Sequence, residues 1–309
     1  MSKIIVTGSA GTLGAPLVTE LRERGHDVWG IELQHSGQPQ TIRADVADYR
    51  QLRAAFDKVG DVDFVYHLAA EFGRLSGEEF YETVWKTNAI GTRHVLELQR
   101  ERGFRHIFAS SSEVYGEADA EAIDERYLLE HPQPRLTNDY AISKRVNEEQ
   151  VRNFADRYGT KTMTLRFFNA YGPGERYHDY RSVVCLFAYR LLTGKPITVY
   201  ENYHRVFMYQ GDFIVTLANA ATSFAPGETV NVGGDEYVSV EDMANMLLEV
   251  TGAHPSLVNR LPLDKHNVTS KKPDISKAKA LLHHNPRTRL AQGLPLTVDW
   301  MRKHYEIGG

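Results

Sequence analysis

Cysteine is nearly absent: Cys185 is alone among 309 residues. One thiol excludes an intramolecular disulfide framework and fits a reducing compartment. Long apolar runs are missing too. None approaches the roughly 18 residues of a membrane span, and the opening Ile4-Ile5-Val6 is far too short for a signal peptide. These absences point to a cytoplasmic chain without a membrane partner. Positive charge is scarce, with 36 Lys and Arg against 40 Asp and Glu and a formal net charge of −4. No basic surface is therefore available for a nucleic-acid backbone, despite the Tyr and Arg excess around residues 176–209. Repeats and low-complexity stretches are lacking, which sets aside solenoids and disordered tails. What remains is an ordinary globular balance, 42% hydrophobic and 25% charged, in a chain long enough for a large α/β domain and a smaller companion.

The first half alternates short β-branched runs with longer amphipathic segments. Strands are expected at Lys3–Thr7, Asp27–Glu32, Phe64–Leu68, His106–Ser110 and Thr162–Arg166. Helices are expected at Leu13–Arg24, Tyr49–Lys58, Phe80–Gly103 and Tyr140–Tyr158. Short apolar strands joined by helical crossovers predict a parallel sheet covered on both faces. That is the doubly wound α/β (Rossmann) architecture, whose ligands sit beyond the carboxyl ends of the strands. After Asn169 the rhythm changes at Gly172-Pro173-Gly174, and a further βα unit follows at Thr229–Gly233 and Val240–Thr251. We expect residues 1–171 to form the cofactor domain, with a later return near 205–233. Residues 172–309 are expected to form mainly a smaller substrate-binding lobe.

Gly8, Gly11 and Gly14, with Thr12 and Leu13 between them, follow the first strand and open the first helix. Side chains there would keep a pyrophosphate from the helix N-terminus, where free N–H groups and the dipole favour an anion. A tight structural turn is the rival reading. The second strand ends at Glu32, and Leu33-Gln34-His35-Ser36-Gly37 beyond it contain no Arg or Lys. A carboxylate there accepts from both ribose hydroxyls and repels a 2′-phosphate, favouring NAD over NADP. The alternative is an exposed strand-end carboxylate.

Tyr140 and Lys144 stand four apart at the start of a long helix, hence on one face. A cation one turn away favours an ionised phenol, as a tyrosine base requires.

These residues carry a resemblance. The glycine turn, Asp45-Val46, His67-Leu68-Ala69-Ala70, Asn88 in Thr87-Asn88-Ala89-Ile90-Gly91-Thr92, Ser110-Ser111-Ser112-Glu113-Val114-Tyr115-Gly116, Tyr140-xxx-Lys144 and Arg166-Phe167-Phe168-Asn169-Ala170-Tyr171-Gly172-Pro173-Gly174 are similar to the extended short-chain dehydrogenase/reductase family. The likeness is greatest to its nucleotide-sugar epimerases and dehydratases. It extends to Pro273-Asp274-Ile275-Ser276-Lys277-Ala278-Lys279 and Leu296-Thr297-Val298-Asp299-Trp300, nearly the whole chain. The resemblance implies NAD as cofactor, a sugar linked to UDP, dTDP, GDP or CDP as substrate, and a homodimer packed through the helices at 80–103 and 140–158. Ser111 would hydrogen-bond the reacting hydroxyl, Tyr140 would accept its proton, and Lys144 would hold the nicotinamide ribose and lower the tyrosine pKa. Asp45 and Val46 would meet the adenine. Leu68, Ala69, Ala70 and Asn88 belong to the cofactor side, Ser112 to the substrate side. Asn169 and Arg205 would hold the nucleotide and diphosphate, which need a fixed amide or guanidinium partner.

The reaction implied begins with oxidation at sugar C4. Turning the 4-keto sugar over gives a 4-epimerase, the primary expectation. Removing the C5 proton leads to 4,6-dehydration or C5 epimerisation, and a C6 carboxylate allows decarboxylation. A small-carbonyl reductase is a more distant alternative, disfavoured by Glu32, as is a non-catalytic redox sensor. Glu113, two residues after Ser111, would share its face if both lay in a strand. Family dehydratases use such a glutamate as C5 base, and some hexuronate decarboxylases have Ser/Thr-Ser-Glu there. A structural carboxylate is the other reading. Ser112 stands where the commonest dehydratase motif has aspartate, and Lys271 where those decarboxylases have arginine. Val206 and Gln210-Gly211-Asp212 also depart from the more acidic family pattern. Arg74, after the third strand, is a candidate for a sugar carboxylate or phosphate; a surface arginine is its rival. Arg176, Tyr177, His178, Tyr180 and Arg181 form an aromatic, basic cluster suited to closing over the nucleotide, with a solvated loop as the rival reading. Cys185 reads as a small buried hydrophobe, and His67 as packing. His283-His284 lack partners at metal-ligand spacing, so no metal is assigned.

Overall fold

The structure, a computed structural model, describes residues 1–73, 78–118, 120–262 and 270–307. Its centre is a seven-stranded, wholly parallel sheet in the order β11-β6-β5-β4-β1-β2-β3. The strands are β1 Lys3–Thr7, β2 Asp27–Glu32, β3 Thr41–Arg43, β4 Phe64–His67, β5 Arg105–Ser111, β6 Thr162–Phe167 and β11 Thr229–Val232. Ile4, Ile5, Val6, Val65, Ile107, Phe108, Met163 and Leu165 are fully buried. Both sheet faces are thus covered, which is why these strands read as continuous apolar runs rather than alternating ones.

One face is closed by the helices Gly14–Glu23 and Gln210–Thr222, which pack Leu17, Leu21, Phe213 and Leu217 with β1, β4 and β6. Against the other face, helix Tyr49–Val59 and helix Gly91–Arg102 enclose Leu52, Phe56, Val95 and Leu98. Helix Asp139–Tyr158 joins that layer, packing Val151 and Phe154 against Leu96 and Phe108. The helix expected over Phe80–Gly103 is interrupted: Tyr81–Val84 is α-helical, Trp85–Ile90 forms a π turn, and the α-helix resumes at Gly91.

A second apolar cluster gathers Val184, Leu191, Met243, Leu247, Leu294 and Val298 from three helices, Val183–Leu192, Val240–Thr251 and Leu290–His304. Small sheets accompany it. The parallel pair joins β8 Ile197–Tyr200 to β13 Val258–Leu261, and the three-stranded sheet is ordered β12-β9-β14 from Tyr237–Ser239, His204–Val206 and Ser270–Lys271. The chain returns to the large sheet between these parts: β10 Met208–Tyr209 pairs with β7 Ala170–Tyr171, and β11 adds to β6.

The strand order reverses direction at β1, flanked by β2 and β4. Ligands in open α/β sheets bind outside the carboxyl ends at such a point. The chain leaves β1 at Gly8 and β4 at Leu68, so both mouths of that crevice are set by topology. Among the described residues no helix is long and apolar enough to cross a membrane. Nor, among them, do three His, Cys, Asp or Glu side chains group as they would around a metal.

Candidate active site

The glycine turn is sterically obligatory. Gly8 sits at φ +70°, and a Cβ there would come within 2.9 Å of the Ala69 backbone nitrogen. A Cβ at Gly14 would lie 2.0 Å from the Gly8 carbonyl. Gly11 is also close to that oxygen, at 3.2 Å. Only glycine lets this loop fold so tightly onto the start of helix Gly14–Glu23, bringing the positive end of the helix dipole to the mouth of the crevice. Leu13 is the N-cap without a side-chain bond, and Gln210 donates to the Thr12 carbonyl.

Glu32 stands beside this turn. Its carboxylate accepts from the Ala10 and Leu33 N–H groups at 2.9 and 2.8 Å. Asp45 accepts from Ala47 at 2.8 Å, and the Val46 carbonyl meets His94 Nδ1 at 2.9 Å. Leu68 and Ala69 are tied to Thr7 through their N–H groups, and Ala70 follows on the same loop. The glycines, the acidic strand end and the loop after β4 gather at the carboxyl ends of β1, β2 and β4, a set that fits a dinucleotide. Asn88 is spent differently. Its carbonyl accepts from Glu71 N–H at 2.9 Å, while its amide donates to Glu71 O at 2.9 Å and Ser143 Oγ at 3.0 Å. The π turn places this fully buried amide between the loop after β4 and the Tyr140 helix, so it clamps the site's frame rather than facing a ligand directly.

Helix Asp139–Tyr158 begins at Asn138, whose side chain accepts from Ala141 N–H at 2.8 Å. This cap fixes the first turn, and with it Tyr140 and Lys144. Ser111 ends β5 opposite them and hydrogen-bonds the Tyr140 phenol. Lys144 is buried, donates to the Ala109 carbonyl at 2.8 Å and lies 6.0 Å from the Tyr140 ring centre. Ser111, Tyr140 and Lys144 are therefore brought together. Their electrostatics differ from the expectation. Burial pushes the Tyr140 phenol up to about 12, against the Ser111 hydrogen bond and with the nearby Glu113 charge adding to the rise. The cation one turn away does not overcome this, because Lys144 is itself pushed down to about 8 by burial, opposed by Glu148.

The shared strand face expected for Ser111 and Glu113 is also corrected. The strand stops at Ser111, and Ser112–Tyr115 form a tight 3₁₀ turn capped by Ser111 Oγ, which accepts from Glu113 N–H at 3.2 Å. Glu113 nevertheless reaches the site by that turn, while Ser112 is buried within it. Its carboxylate pairs with Lys271 Nζ at 2.7 Å, across 158 residues of sequence. Burial pushes the Glu113 carboxyl up, but Lys271, Arg205 and the Asn138 side chain together hold it below its ordinary value. Burial likewise lowers Lys271 and Arg205, with Glu113 opposing in both cases. Direct contact favours the charged pair, since a 2.7 Å bond between oppositely charged groups stabilises both ions.

Arg205 donates to the His204 carbonyl at 2.9 Å and lies 5.6 Å from the Tyr203 ring centre. Asn169 is exposed and donates to the Val206 carbonyl at 3.2 Å. Arg176 is exposed on the loop after Gly174. From that loop, Arg181 stacks 5.0 Å over Phe72, and Tyr180 hydrogen-bonds Glu79, closing this segment onto the loop after β4. Arg74 lies outside the described residues. Cys185 is buried in the second apolar cluster, where burial pushes its thiol up. His67 is held between Thr7 and Thr92, and His284 between Thr216 and the Gly233 carbonyl, both as internal structure. Reasoning from sequence missed Asn138 and Glu148. Asn at a helix start is an N-cap signal, and Glu148 repeats the four-residue spacing from Lys144.

Comparison with known proteins gives the same picture. The sequence model of the NAD dependent epimerase/dehydratase family matches residues 4–233. UDP-glucuronic acid decarboxylase 1 of Xenopus tropicalis is 30% identical over 315 residues, 98% of this chain and 73% of that protein. The UDP-glucose 4-epimerase of Thermotoga maritima, solved with UDP-glucose, is 28% identical with a TM-score of 0.88, covering 98% and 99% of the two chains. The UDP-glucuronic acid 4-epimerase of Bacillus cereus, solved with UDP-glucuronic acid and NAD, is 26% identical with a TM-score of 0.84, covering 98% and 100%.

Proposed function

The chain belongs to the NAD dependent epimerase/dehydratase family, and from that premise we propose that it is an NAD-dependent 4-epimerase of a UDP-linked sugar. The observation that carries this reading is the meeting of Ser111, Tyr140 and Lys144 beside a Glu113 already engaged by Lys271. NAD, when bound, supplies the hydride acceptor at C4, returns the hydride afterwards, and brings a positive charge. Gly8, Gly11, Gly14 and Glu32 are the residues that would hold it. Tyr140 takes the C4 hydroxyl proton and gives it back on reduction, with Ser111 sharing that hydrogen bond. A phenol at about 12 keeps its proton in the free site, so Tyr140 becomes a base only when positive charge gathers around it. Arg205, Asn169 and Arg176 are assigned to the nucleotide diphosphate end. Glu113 is a poor C5 base in this state, because Lys271 stabilises its ionised form.

One observation favours a second reading. Lys271, 3% exposed, is a cation at the inner end of the sugar site. A C6 carboxylate could replace Glu113 on it, and the decarboxylase relative carries such a substrate in its name. Loss of carbon dioxide from a 4-keto acid would then leave a C5 carbanion to be protonated. A 4,6-dehydratase needs a free Glu113 and is less well supported.

Purified protein with NAD, UDP-glucose or UDP-glucuronic acid in deuterated water separates these outcomes by NMR and mass spectrometry. A new C4 isomer without deuterium is expected. Deuterium at C5 with loss of carbon dioxide would instead make it a decarboxylase, and with loss of water a dehydratase. Tyr140→Phe is expected to abolish turnover with an unchanged melting curve; full activity in that variant would remove the whole reading. We also propose a cytoplasmic homodimer, for which Ile90 and Tyr158 offer exposed apolar surface on the helices concerned. A stable monomer in light scattering would count against it. Residues 1–171 with the return near 205–233 are taken as the cofactor domain; the first apolar cluster supports this, falling within those residues except for Ala278 and Leu282 of a later helix.

A further inference from the structure

Lys144 must stay charged in a place that resists charge. The whole residue is 4% exposed. The titratable groups facing it are Tyr140 and Glu148 on its own helix, His67 on β4 and, behind His67, His106 on β5; beyond Glu148 stand two guanidiniums, Arg145 of the same helix, 3.7 Å from it, and Arg166 of β6. Both imidazoles are neutral, pushed down by burial. The Phe108 ring, 5.3 Å away, and the Ala109 carbonyl complete the surroundings. Glu148 lies one helical turn beyond Lys144 and is itself buried.

Glu148 is fixed at every oxygen. Oε1 accepts from Ser110 Oγ at 2.6 Å and from Arg166 Nε at 2.9 Å, while Oε2 accepts from Arg166 Nη2 at 2.8 Å. Arg166 also donates to the Tyr115 hydroxyl at 2.8 Å, and that hydroxyl donates to Asn231 Oδ1 at 2.7 Å. The Asn231 amide donates to the Ile123 carbonyl at 2.9 Å, and Ile123 N–H donates to Lys272 O at 2.8 Å. A buried chain of hydrogen bonds thus runs from the catalytic helix to the segment that carries Lys271.

We propose that Glu148 is the counter-charge that keeps Lys144 protonated, and that Arg166 is the positioning residue that holds Glu148 beside it. The inference rests on the Tyr140 and Lys144 chemistry proposed above. A bidentate guanidinium fixes a carboxylate more rigidly than a point charge does. A buried pair of this kind can often be replaced by neutral residues of similar volume without loss of fold, which makes its charge testable apart from its packing.

The test is the pH profile of turnover in Glu148→Gln/Arg166→Met, with melting temperature as the check on folding. The alkaline limb, where Lys144 loses its proton, is expected to move to lower pH by about one unit or more. Glu148→Asp keeps the anion, so its limb should stay within a few tenths of a unit even if turnover falls. The Lys144 side-chain carbon resonance, assigned by its loss in Lys144→Arg, should show the same displacement without turnover. An unmoved limb and resonance in the folded double variant would overturn the proposal. So would a limb in Glu148→Asp displaced as far as in the charge-free variant, which is also the decisive result if the double variant fails to fold. If Tyr140→Phe stays active, the catalytic reading fails and takes this one with it. If Tyr140→Phe is dead and the limb unmoved, only this inference fails.

Discussion

The molecule holds two charged pairs near its catalytic group, and they are built for different ends. In Glu148–Arg166 both side chains are nearly buried, 6% and 5% exposed, and every carboxylate oxygen is hydrogen-bonded within the sheet and its covering helix. In Glu113–Lys271 the lysine is equally buried, yet the carboxylate is 36% exposed and the partners come from distant parts of the chain. The first has no free capacity for a ligand. The second has an open side at Glu113, where an incoming hydroxyl can bind the carboxylate or an incoming carboxylate can displace it from Lys271. Burial of one member or of both separates a pair that belongs to the frame from one that can exchange.

Removing one partner of each pair sharpens this contrast. Glu148→Ala leaves the Arg166 guanidinium buried without its anion and should cost about 3–5 kcal/mol in urea unfolding. Lys271→Met leaves a carboxylate that water already reaches, and its cost to stability should be about 1 kcal/mol or less. Equal losses in the two variants would erase the distinction. The smallest effect concerns acid. Glu113 has a folded pKa below its ordinary 4.5, so its contribution to stability is fully present above 4.5 and fades as pH falls through the lower folded value. In Lys271→Met that fading should shrink, read as a flatter dependence of unfolding free energy on pH below 4.5.

The parallel sheet was legible because fully buried strands leave uninterrupted apolar runs, as Ile4-Ile5-Val6 does. The glycine turn was legible because close backbone approach admits one residue type. Tyr140 and Lys144 could be paired because a helix fixes its own geometry. Contacts across the chain were not. Nothing in the spacing of Glu113 and Lys271 brings residues 158 apart together, and the switch from strand to 3₁₀ turn at Ser112 defeated the period-two argument for Ser111 and Glu113. Glu148 was passed over because an acidic residue on a long polar helix reads as solvent-facing. Only the arrival of Arg166 from β6 makes it an internal charge. The π turn at Trp85–Ile90 leaves no compositional mark and shows itself through where Asn88 points.

The last strand of the large sheet carries a consequence for synthesis. β11 pairs with β6, yet 61 residues lie between Phe167 and Thr229. A nascent chain that has emerged only as far as Tyr171 holds six strands of the large sheet and the catalytic helix, with β6 lacking its β11 partner. It also lacks helix Gln210–Thr222, so the apolar surface that Phe213 and Leu217 cover stays open. Such an edge beside bare apolar surface is the kind that captures strands from neighbouring chains. Between the emergence of β6 and that of β11 the growing chain is therefore open to such capture, and prompt delivery of residues 210–232 should favour a soluble product.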